Sequence, residues 1–212
     1  MKKDKTIKTI ESYDKNAKKF EDKFLNFKPY REKILLFQKK HLIHNKATIL
    51  DIGCGPGNHS RYLYSLNNSY QITGVDLSEK MIELARVNAP NCNFIKDDIR
   101  NLDTNIKYDA IIASFCIVHL SDNELIEFIS KLNELLNNTG YLYLSFIEGN
   151  KTGFIKPDFF DEKIYFNFFE RKEVIKLLTS NLFKINELYE YDYIEKNGST
   201  SKEIFIFAQK NN

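Results

Sequence analysis

Apolar residues recur along the chain with two different spacings. In residues 6–26 they fall alternately three and four positions apart, which predicts one face of an amphipathic helix. Pro29 suits the first turn of a second helix, whose apolar residues continue as far as Leu42. Both helices precede the first predicted strand. We therefore interpret them as an N-terminal addition that either covers the sheet or forms a lid over a binding site.

Residues 48–147 alternate between short apolar runs and amphipathic segments. The apolar runs predict strands at 49–52, 70–76, 92–96, 108–114 and 141–147. The segments between them predict helices at about 59–67, 78–90 and 121–136, with a turn at 137–140 after the last one. Ser121 and Glu124 have the spacing of a capping box. Strands that alternate with helices are typical of a parallel sheet with helices on both faces.

The C-terminal third of the chain has a different pattern. Residues 148–169 combine glycines, a proline and a cluster of aromatic residues, which we interpret either as core or as the wall of a small-molecule pocket. A helix at about 170–180 and strands at about 183–193 and 203–209 follow, and the turn at 196–199 predicts a hairpin. We expect a single domain that consists of a helical lid (1–46), a cofactor-binding core (47–147), a substrate-covering insertion (148–169) and a C-terminal helix and hairpin (170–212).

Composition narrows the class of protein. The 212 residues carry a net charge of +2, with acids and bases mixed along the chain, which disfavours binding to nucleic acid through phosphates. Three scattered cysteines without a CxxC pair disfavour disulfides and a metal site. No stretch has the roughly 18 apolar residues of a membrane span, and the N-terminus lacks the apolar segment of a signal peptide. We expect a cytoplasmic monomer or homodimer that contacts no membrane.

The first strand runs into a glycine-rich loop at residues 53–57. Its three glycines alternate as G-x-G-x-G, whereas dinucleotide-binding loops have G-x-G-x-x-G. Glycine lets a ligand lie against the main chain, and Asn58 or Ser60 can then cap the next helix. Asp51, two residues before the loop, would repel a pyrophosphate but would attract a cationic ligand such as S-adenosylmethionine. The same carboxylate could instead hold the loop through its amides.

Several segments in chain order resemble one family. Residues 50–57 resemble the cofactor loop of class I S-adenosylmethionine-dependent methyltransferases, and residues 13–20, 74–78, 98–99 and 108–114 resemble further motifs of that family. The resemblance implies an α/β, Rossmann-like fold. This fold has a doubly wound, mostly parallel sheet of seven strands in the order 3-2-1-4-5-7-6, with the last strand antiparallel, helices on both faces and an N-terminal helical lid.

The resemblance also implies roles for particular residues. Asp76 would accept hydrogen bonds from the ribose hydroxyls, Leu77 would lie against the adenine, and Asp98 would accept from the adenine amino group beside the Ile99 backbone. Tyr13 would reach the cofactor from the lid. The full set predicted to bind S-adenosylmethionine, and its product S-adenosylhomocysteine, is Tyr13, Asp51, Gly53, Cys54, Gly55, Gly57, Asp76, Leu77, Met81, Asp98, Ile99 and Ser114.

The acceptor side is less well defined by the sequence. His119 lies just beyond the fourth strand, at the edge where ligands bind in such sheets, and could take a proton from a substrate as the catalytic residue. It could instead be a packed side chain, and we favour this interpretation over the proton role. The residues predicted to contact the acceptor are Phe115, His119, Glu148 and Tyr165. The other three histidines, His41, His44 and His59, are predicted to lie on the surface.

These observations predict methyl transfer to an O, N, C or S atom of a small molecule by in-line displacement, in which positioning supplies much of the rate. One alternative is an RNA or protein methyltransferase. The segment 114–117 lacks the Asn/Asp-Pro-Pro-aromatic motif of amino-directed enzymes, and no proline precedes a cysteine, so those nucleic-acid subclasses are disfavoured. A second alternative is a non-catalytic S-adenosylmethionine-binding protein. A dinucleotide oxidoreductase is disfavoured by Asp51 and by the glycine spacing.

Overall fold

The architecture is a seven-stranded sheet with helices on both faces, together with a separate two-stranded hairpin. The structure, a computed structural model, describes residues 2–42, 46–102, 104–158 and 160–211. The α-helices of the described ranges are α1 (Lys2–Phe24), α2 (Lys28–His41), α3 (Asn58–Leu66), α4 (Glu79–Asn88), α5 (Asp122–Leu135) and α6 (Arg171–Ser180). The strands there are β1 (Thr48–Ile52), β2 (Gln71–Asp76), β3 (Asn93–Lys96), β4 (Tyr108–Ser114), β5 (Leu136–Ile147), β6 (Thr152–Ile155), β7 (Ile164–Asn167), β8 (Phe183–Ile194) and β9 (Thr200–Lys210).

The strand order of the large sheet is β3-β2-β1-β4-β5-β9-β8. Strands β1 to β5 pair in parallel, and β9 runs antiparallel to both β5 and β8. Because β6 and β7 form their own small sheet, β8 and β9 are the sixth and seventh strands of the large one. The predicted fold class, strand order and single antiparallel strand are therefore confirmed.

The apolar runs become strands because both faces of the sheet are covered. Ile49, Leu50 and Ile52 of β1 are at most 1% exposed, as a doubly covered strand requires. One face packs against α5 and α6, and the other packs against α2 and α3. The N-terminal helix α2 is thus part of the core. In contrast, α1 packs against α4 and β7 at the edge of the sheet where the parallel strands end.

Local signals set the helix ends with one exception. The predicted capping box of α5 is present, with the backbone N–H and hydroxyl of Ser121 donating to Glu124 at 2.8 and 2.6 Å. The cap predicted for α3 at Asn58 is wrong. Gly57 is the N-cap with a φ of 79°, and Asn58 is already the first helical residue because the left-handed glycine turns the chain into the helix one residue earlier.

Two segments differ from the sequence prediction. Residues 148–169, for which the sequence predicts no strands, contain the antiparallel hairpin of β6 and β7. Strand β5 begins at Leu136 and not at 141, because the chain bends within the strand at Thr139, whose φ is 61°. The amide of Asn137 donates to Asp109 at 2.7 Å and holds this bend against β4. None of the helices in the described ranges has the length and apolar character needed to cross a membrane.

Candidate functional site

A cavity of about 450 Å³ lies at the edge where the parallel strands end. Its floor is the glycine loop after β1 and the ends of β2 and β4, and α1 covers it. The hairpin of β6 and β7 and the first residues of β9 close the far side. The volume falls within the range of small-molecule sites, and the carboxyl edge is where sheets of this kind bind ligands.

The glycine loop follows a path that glycine favours strongly. Gly53 and Gly55 have φ values of 66° and 53°, and a Cβ on Gly53 would lie 2.6 Å from the Cβ of Cys116. The N–H groups of Gly53 and Cys54 both donate to the Val75 carbonyl, at 2.8 and 3.0 Å, which ties the loop to β2. Gly53 and Gly55 line the cavity, so their main chain is available to a ligand.

Asp76 is held at the end of β2 by backbone donors. Its Oδ2 accepts from the Gly55 N–H and its Oδ1 from the Ser78 N–H, both at 2.9 Å. Burial raises the pKa of Asp76 and these backbone hydrogen bonds oppose the rise. A carboxylate has about four acceptor positions, so each oxygen retains capacity for one further donor. Asp76 lines the cavity together with Leu77 and Met81.

Asp98 lines the same end of the cavity and forms an ion pair with Arg100. The Arg100 Nε donates to Oδ1 at 2.9 Å, and its terminal nitrogen donates to Oδ2 at 2.5 Å. Burial pushes the pKa of Asp98 upward, but the hydrogen bonds and charge of Arg100 outweigh burial and hold it below its ordinary value. Arg100 also donates to Glu124 at 2.9 Å. Asp98 is thus a fixed carboxylate beside Ile99, which lines the cavity as well.

Asp51, Cys54 and Gly57 do not line the cavity in the part of the chain that is described. Asp51 is 1% exposed, and its Oδ2 accepts from the N–H and hydroxyl of Ser60 at 3.2 and 2.6 Å. It therefore binds the first turn of α3, and a direct contact with a cofactor stays a prediction. Burial raises the pKa of Asp51 to about 6, with Ser60 opposing the rise. Cys54 packs beside Ala85, and Gly57 lies against the same residue.

Helix α1 is fastened over the cavity by polar contacts along its length. Lys5 pairs with Glu124 at 3.0 Å. Asp14 accepts from the Ser78 hydroxyl and the Lys80 N–H at 2.5 and 3.2 Å. Near the other end of α1, Glu21 accepts from the Asn88 amide at 2.6 Å. The Lys5 contact therefore holds α1 against α5, and the contacts of Asp14 and Glu21 hold it against the two ends of α4; a lid function stays a prediction.

Tyr13 and His119 meet inside the cavity. The Tyr13 hydroxyl is 3.0 Å from His119 Nε2, and His119 Nδ1 is 2.9 Å from the Tyr165 carbonyl oxygen. Because a carbonyl only accepts, Nδ1 carries the proton, and Nε2 accepts from Tyr13. Burial lowers the pKa of His119 to about 4, although the bond to Tyr165 opposes the fall. The neutral ring is therefore fully engaged by its two partners.

The remaining predicted acceptor residues lie in different places. Phe115 lines the cavity and has a φ of 53°, a strained conformation held by the Ser145 carbonyl, which accepts from its N–H at 3.0 Å. Ser114 lines the cavity beside it. Tyr165 contributes its backbone to His119, but its ring lies under Lys5 and does not line the cavity. Glu148 pairs with Arg171 at 2.5 Å in a separate surface groove, so the expected position facing the substrate is wrong.

Several cavity residues were not anticipated. Tyr30, Glu203 and Tyr193 line the side away from Asp98, and His59, expected on the surface, is 5% exposed and lines the cavity too. His41 is also largely enclosed, against Glu187, because α2 packs on the sheet. His44 lies outside the described residues. In the sequence, Glu203 stands out only as an acid directly before the apolar run of β9. The periodicity of that run does not indicate that the acid belongs to a site.

The structure thus brings most of the predicted set into one cavity. The predicted residues that line it are Tyr13, Gly53, Gly55, Asp76, Leu77, Met81, Asp98, Ile99, Ser114, Phe115 and His119. They come from α1, from the first turn of α4 and from the ends of β1 to β4, and the first and last of them, Tyr13 and His119, are 106 positions apart in the chain. Within the described ranges, no group of His, Cys, Asp and Glu side chains is arranged to hold a metal ion.

The fold and this edge of the sheet define a Rossmann-like α/β protein with a nucleotide-type site. A methyltransferase from Clostridium acetobutylicum ATCC 824, described as S-adenosylmethionine-dependent, superposes with a TM-score of 0.73 at 16% identity, covering 94% of this chain and 99% of that one. The N-methyltransferase NodS from Bradyrhizobium japonicum WM9, solved with S-adenosyl-L-homocysteine, superposes with a TM-score of 0.71 at 16% identity, covering 96% and 99%. At these identities the likeness shows the fold alone.

Sequence comparison finds a family match within the core. Residues 49–140 match the methyltransferase domain family. Trans-aconitate 2-methyltransferase from Escherichia coli O7:K1 (strain IAI39 / ExPEC) is 37% identical over 100 residues, which are 47% of this chain and 39% of that enzyme. The match thus spans about two fifths of the relative's length. The match of residues 49–140 to this domain family confirms the predicted resemblance to class I S-adenosylmethionine-dependent methyltransferases.

Proposed function

We propose that this chain transfers a methyl group from S-adenosylmethionine to a small-molecule acceptor. The observation that carries the proposal is the single cavity under α1. It joins the glycine loop, Asp76 and Asp98 at one end to a largely aromatic wall at the other. A cofactor and an acceptor bound in these two parts would share one enclosed space, which in-line transfer requires.

The residues at the first end fit the cofactor. Gly55 lines the cavity, and a Cβ there would meet only Phe20, at 3.7 Å, so a ligand can lie against the loop backbone. Asp76 has spare acceptor capacity for two hydroxyls. Asp98 already accepts four hydrogen bonds from Arg100, so an amino group beside Ile99 would share the Asp98 oxygens with that arginine. Asp51 contributes negative charge behind the loop. The bound cofactor would supply an electrophilic methyl group on a sulfonium.

The chain's own contribution is positioning and exclusion of water. Tyr13 reaches into the cavity from α1, and the contacts of Asp14 and Glu21 with α4 hold that helix closed. Holding two reactants in line and out of water supplies a large part of the acceleration in such a reaction. No base is required when the acceptor atom has a free lone pair. The engaged His119 is consistent with that chemistry.

The acceptor end favours a small molecule over a macromolecule. Tyr30 and Phe115 lie with ring centroids 4.9 Å apart in the wall, and Phe166 and Phe168 stack at 5.7 Å on the hairpin. Apolar walls with a few polar groups are typical of small-molecule pockets. The tricarboxylate that gives the Escherichia coli relative its name fits this end poorly, since Glu195 and Glu203 line it.

A radiolabel assay tests the proposal. The purified chain is incubated with S-adenosylmethionine that carries a tritiated methyl group and with the low-molecular-weight and macromolecular fractions of a cell extract. We expect label in the low-molecular-weight fraction and loss of that label in Asp76→Ala. Transfer only into RNA or protein would contradict the small-molecule acceptor. Binding of S-adenosylhomocysteine by calorimetry without transfer to any fraction would support a non-catalytic binding protein instead.

A further inference from the structure

Glu203 is a buried acid in the wall of the cavity. It lies at the start of β9, paired in register with Ile147 at the end of β5, and is 3% exposed. Both Glu203 and Ile147 line the cavity. Acidic side chains are seldom fully buried unless they are paired, because removing their charge from water is costly.

Only one of its carboxyl oxygens has a partner. The Tyr30 hydroxyl donates to Glu203 Oε1 at 2.7 Å, whereas Oε2 is buried without a hydrogen bond among the described residues. In the same part of the chain, Glu203 forms no ion pair. A buried acceptor left unpaired is unfavourable, so such a group in a ligand cavity is expected to gain its partner from the ligand.

The surroundings of Glu203 are aromatic. Tyr30 stacks on Phe24 with centroids 5.9 Å apart and contacts Phe115 at 4.9 Å, and all three line the cavity. Tyr193 lines it on the β8 side. Aromatic faces attract cations, and the attraction grows when water is excluded. A carboxyl group inside an aromatic wall is a combination that suits an organic cation.

Further charged groups surround this end of the cavity. Glu195 and Asp158 line it, and the Ser201 hydroxyl donates to Glu195 at 2.8 Å. Lys156 lines the cavity near Asp158, and Lys23 lies over the Tyr193 ring, where it interacts with Glu195 and Asp158. These bases offset the outer acids, so the buried carboxyl group of Glu203 is the feature of this wall that distinguishes a cationic from an anionic acceptor.

We propose that the acceptor carries an amine and that Glu203 binds its protonated nitrogen against the aromatic wall. This inference rests on the proposed function, because it names the acceptor class of the same site. Tyr30 is a positioning residue that orients the Glu203 carboxyl group through Oε1. The amine is recognised by its charge, and because a protonated nitrogen has no lone pair, the methyl group goes to a different atom of the acceptor.

The electrostatics of Glu203 supply an independent signature. Burial raises the pKa of Glu203 to about 8, with the Tyr30 hydrogen bond opposing the rise and Glu195 adding to it. The charge of Glu203 in turn raises the pKa of the neighbouring tyrosines Tyr143, Tyr191 and Tyr193. The free protein therefore holds Glu203 largely protonated at pH 7. Binding of an ammonium group requires the carboxylate, so it should release a proton to the buffer.

Calorimetry with matched probes tests the inference. The protein is first saturated with S-adenosylhomocysteine and then titrated at pH 7 with 2-phenylethylamine, 2-phenylethanol and phenylacetate. We expect the amine to bind at least about tenfold more tightly than the alcohol or the carboxylate, equivalent to about 1.4 kcal/mol. Its enthalpy should also change with the ionisation enthalpy of the buffer.

Three variants locate the effect. Glu203→Gln should remove the preference for the amine and the buffer dependence, with unchanged affinity for S-adenosylhomocysteine. Glu203→Asp keeps the charge and should retain a weaker preference, which keeps the test valid if the glutamine variant folds poorly. Glu187→Gln, a control on β8 whose carboxylate contacts Lys40 and His41 away from the cavity, should behave like the original chain.

The outcomes separate the two proposals. Equal binding of the three probes, no binding of the amine, or an amine preference that persists in Glu203→Gln would overturn the inference while the proposed function stands. Failure of the original chain to bind S-adenosylhomocysteine would overturn the proposed function, and the inference would fall with it.

Discussion

The hydroxyl of Tyr13 lies 3.0 Å from Nε2 of His119, across 106 positions of the chain. This hydrogen bond joins the covering helix α1 to the turn after β4. His119 is held from its other side by the Tyr165 carbonyl at 2.9 Å. A general base needs a free acceptor nitrogen and a pKa near the working pH, whereas His119 has an occupied Nε2 and a pKa lowered to about 4 by burial. The geometry favours a positioning role.

We expect His119→Ala and Tyr13→Phe to lower turnover by similar factors, because each removes one half of the same contact. A higher pH should not restore the His119→Ala enzyme, since no proton acceptor has been lost. The double variant should be little worse than either single one, with a coupling energy of about 0.5–3 kcal/mol. Initial rates between pH 6 and pH 9 with the acceptor found by radiolabel transfer would check this. Recovery of His119→Ala at alkaline pH would restore the general-base interpretation.

Asp76→Ala should weaken S-adenosylhomocysteine binding by about 1–3 kcal/mol, because it leaves ligand hydroxyls without their partner. It also removes the acceptor for the Gly55 and Ser78 N–H groups, so the glycine loop loses a tie to β2. Glu79→Ala is the control, since Glu79 lies three residues further on at the start of α4, pairs with Lys96 at 3.1 Å and does not line the cavity. Isothermal titration would compare the two. Equal affinities would place the cofactor elsewhere.

Gly55→Val should abolish cofactor binding at concentrations that saturate the original chain. The position has a φ of 53°, which costs a β-branched residue conformational energy, and its side chain would project toward Phe20 in the cavity. Gly198→Val is the matched control, because Gly198 has a φ of 82° with nothing within 4 Å of an added Cβ. Both variants should lose some thermal stability. Retained cofactor affinity in Gly55→Val would show that the ligand does not approach this loop.

The residues at the cofactor end could be predicted because each of them belongs to a short motif that is recognisable in the sequence. The glycine loop follows one buried strand, and the two acids follow the next two strands in the chain. Because these strands are parallel and pair in register, their carboxyl ends lie side by side and the loop and the acids lie close together. Asp76 and Asp98 could therefore be placed from periodicity and family resemblance together. The capping box of Ser121 was readable for the same reason, since its partners are three residues apart.

The acceptor end depends on contacts that no local pattern encodes. Glu203 reaches the cavity because β9 inserts between β5 and β8, which brings it to Tyr30, 173 positions away. The hairpin of β6 and β7 was missed because its aromatic residues do not alternate with polar ones. Glu148 was misplaced because its partner Arg171, at the start of α6, turns it out of the cavity.

The raised pKa of Asp51 predicts a pH dependence of stability. Burial raises this pKa to about 6 in the folded chain from an ordinary value of 3.8, so the contribution of Asp51 is fully present below about pH 4 and is lost as the pH rises through 6. The loss is on the order of 3 kcal/mol. Asp51→Asn should flatten this dependence, because one amide oxygen can still accept both Ser60 bonds now made by Oδ2.

Urea unfolding at several pH values between 4 and 8 would measure this effect. Asp98→Asn provides a control of opposite sign, because the folded pKa of Asp98 is lowered and its contribution is present above the unfolded pKa and lost on acidification. The Asp51→Asn chain should therefore gain stability relative to the original chain as the pH rises from 4 to 6, whereas the curve of Asp98→Asn should run parallel to that of the original chain in this window, because its change falls below about pH 4. Parallel curves for Asp51→Asn and the original chain would contradict the prediction.

The contacts of Asp14 predict how fast the cofactor leaves. Asp14 accepts from the Ser78 hydroxyl and the Lys80 N–H at the N-terminus of α4, where a negative charge is also favoured by the helix dipole. Asp14→Ala should loosen α1 and raise the dissociation rate of S-adenosylhomocysteine several-fold, with a smaller effect on association. Asp22→Ala is the control, because Asp22 lies on the same helix but pairs only at the surface, with Lys18. Stopped-flow displacement would give the rates, and hydrogen exchange would report on α1. Equal dissociation rates in Asp14→Ala and Asp22→Ala would show that α1 does not gate the cavity.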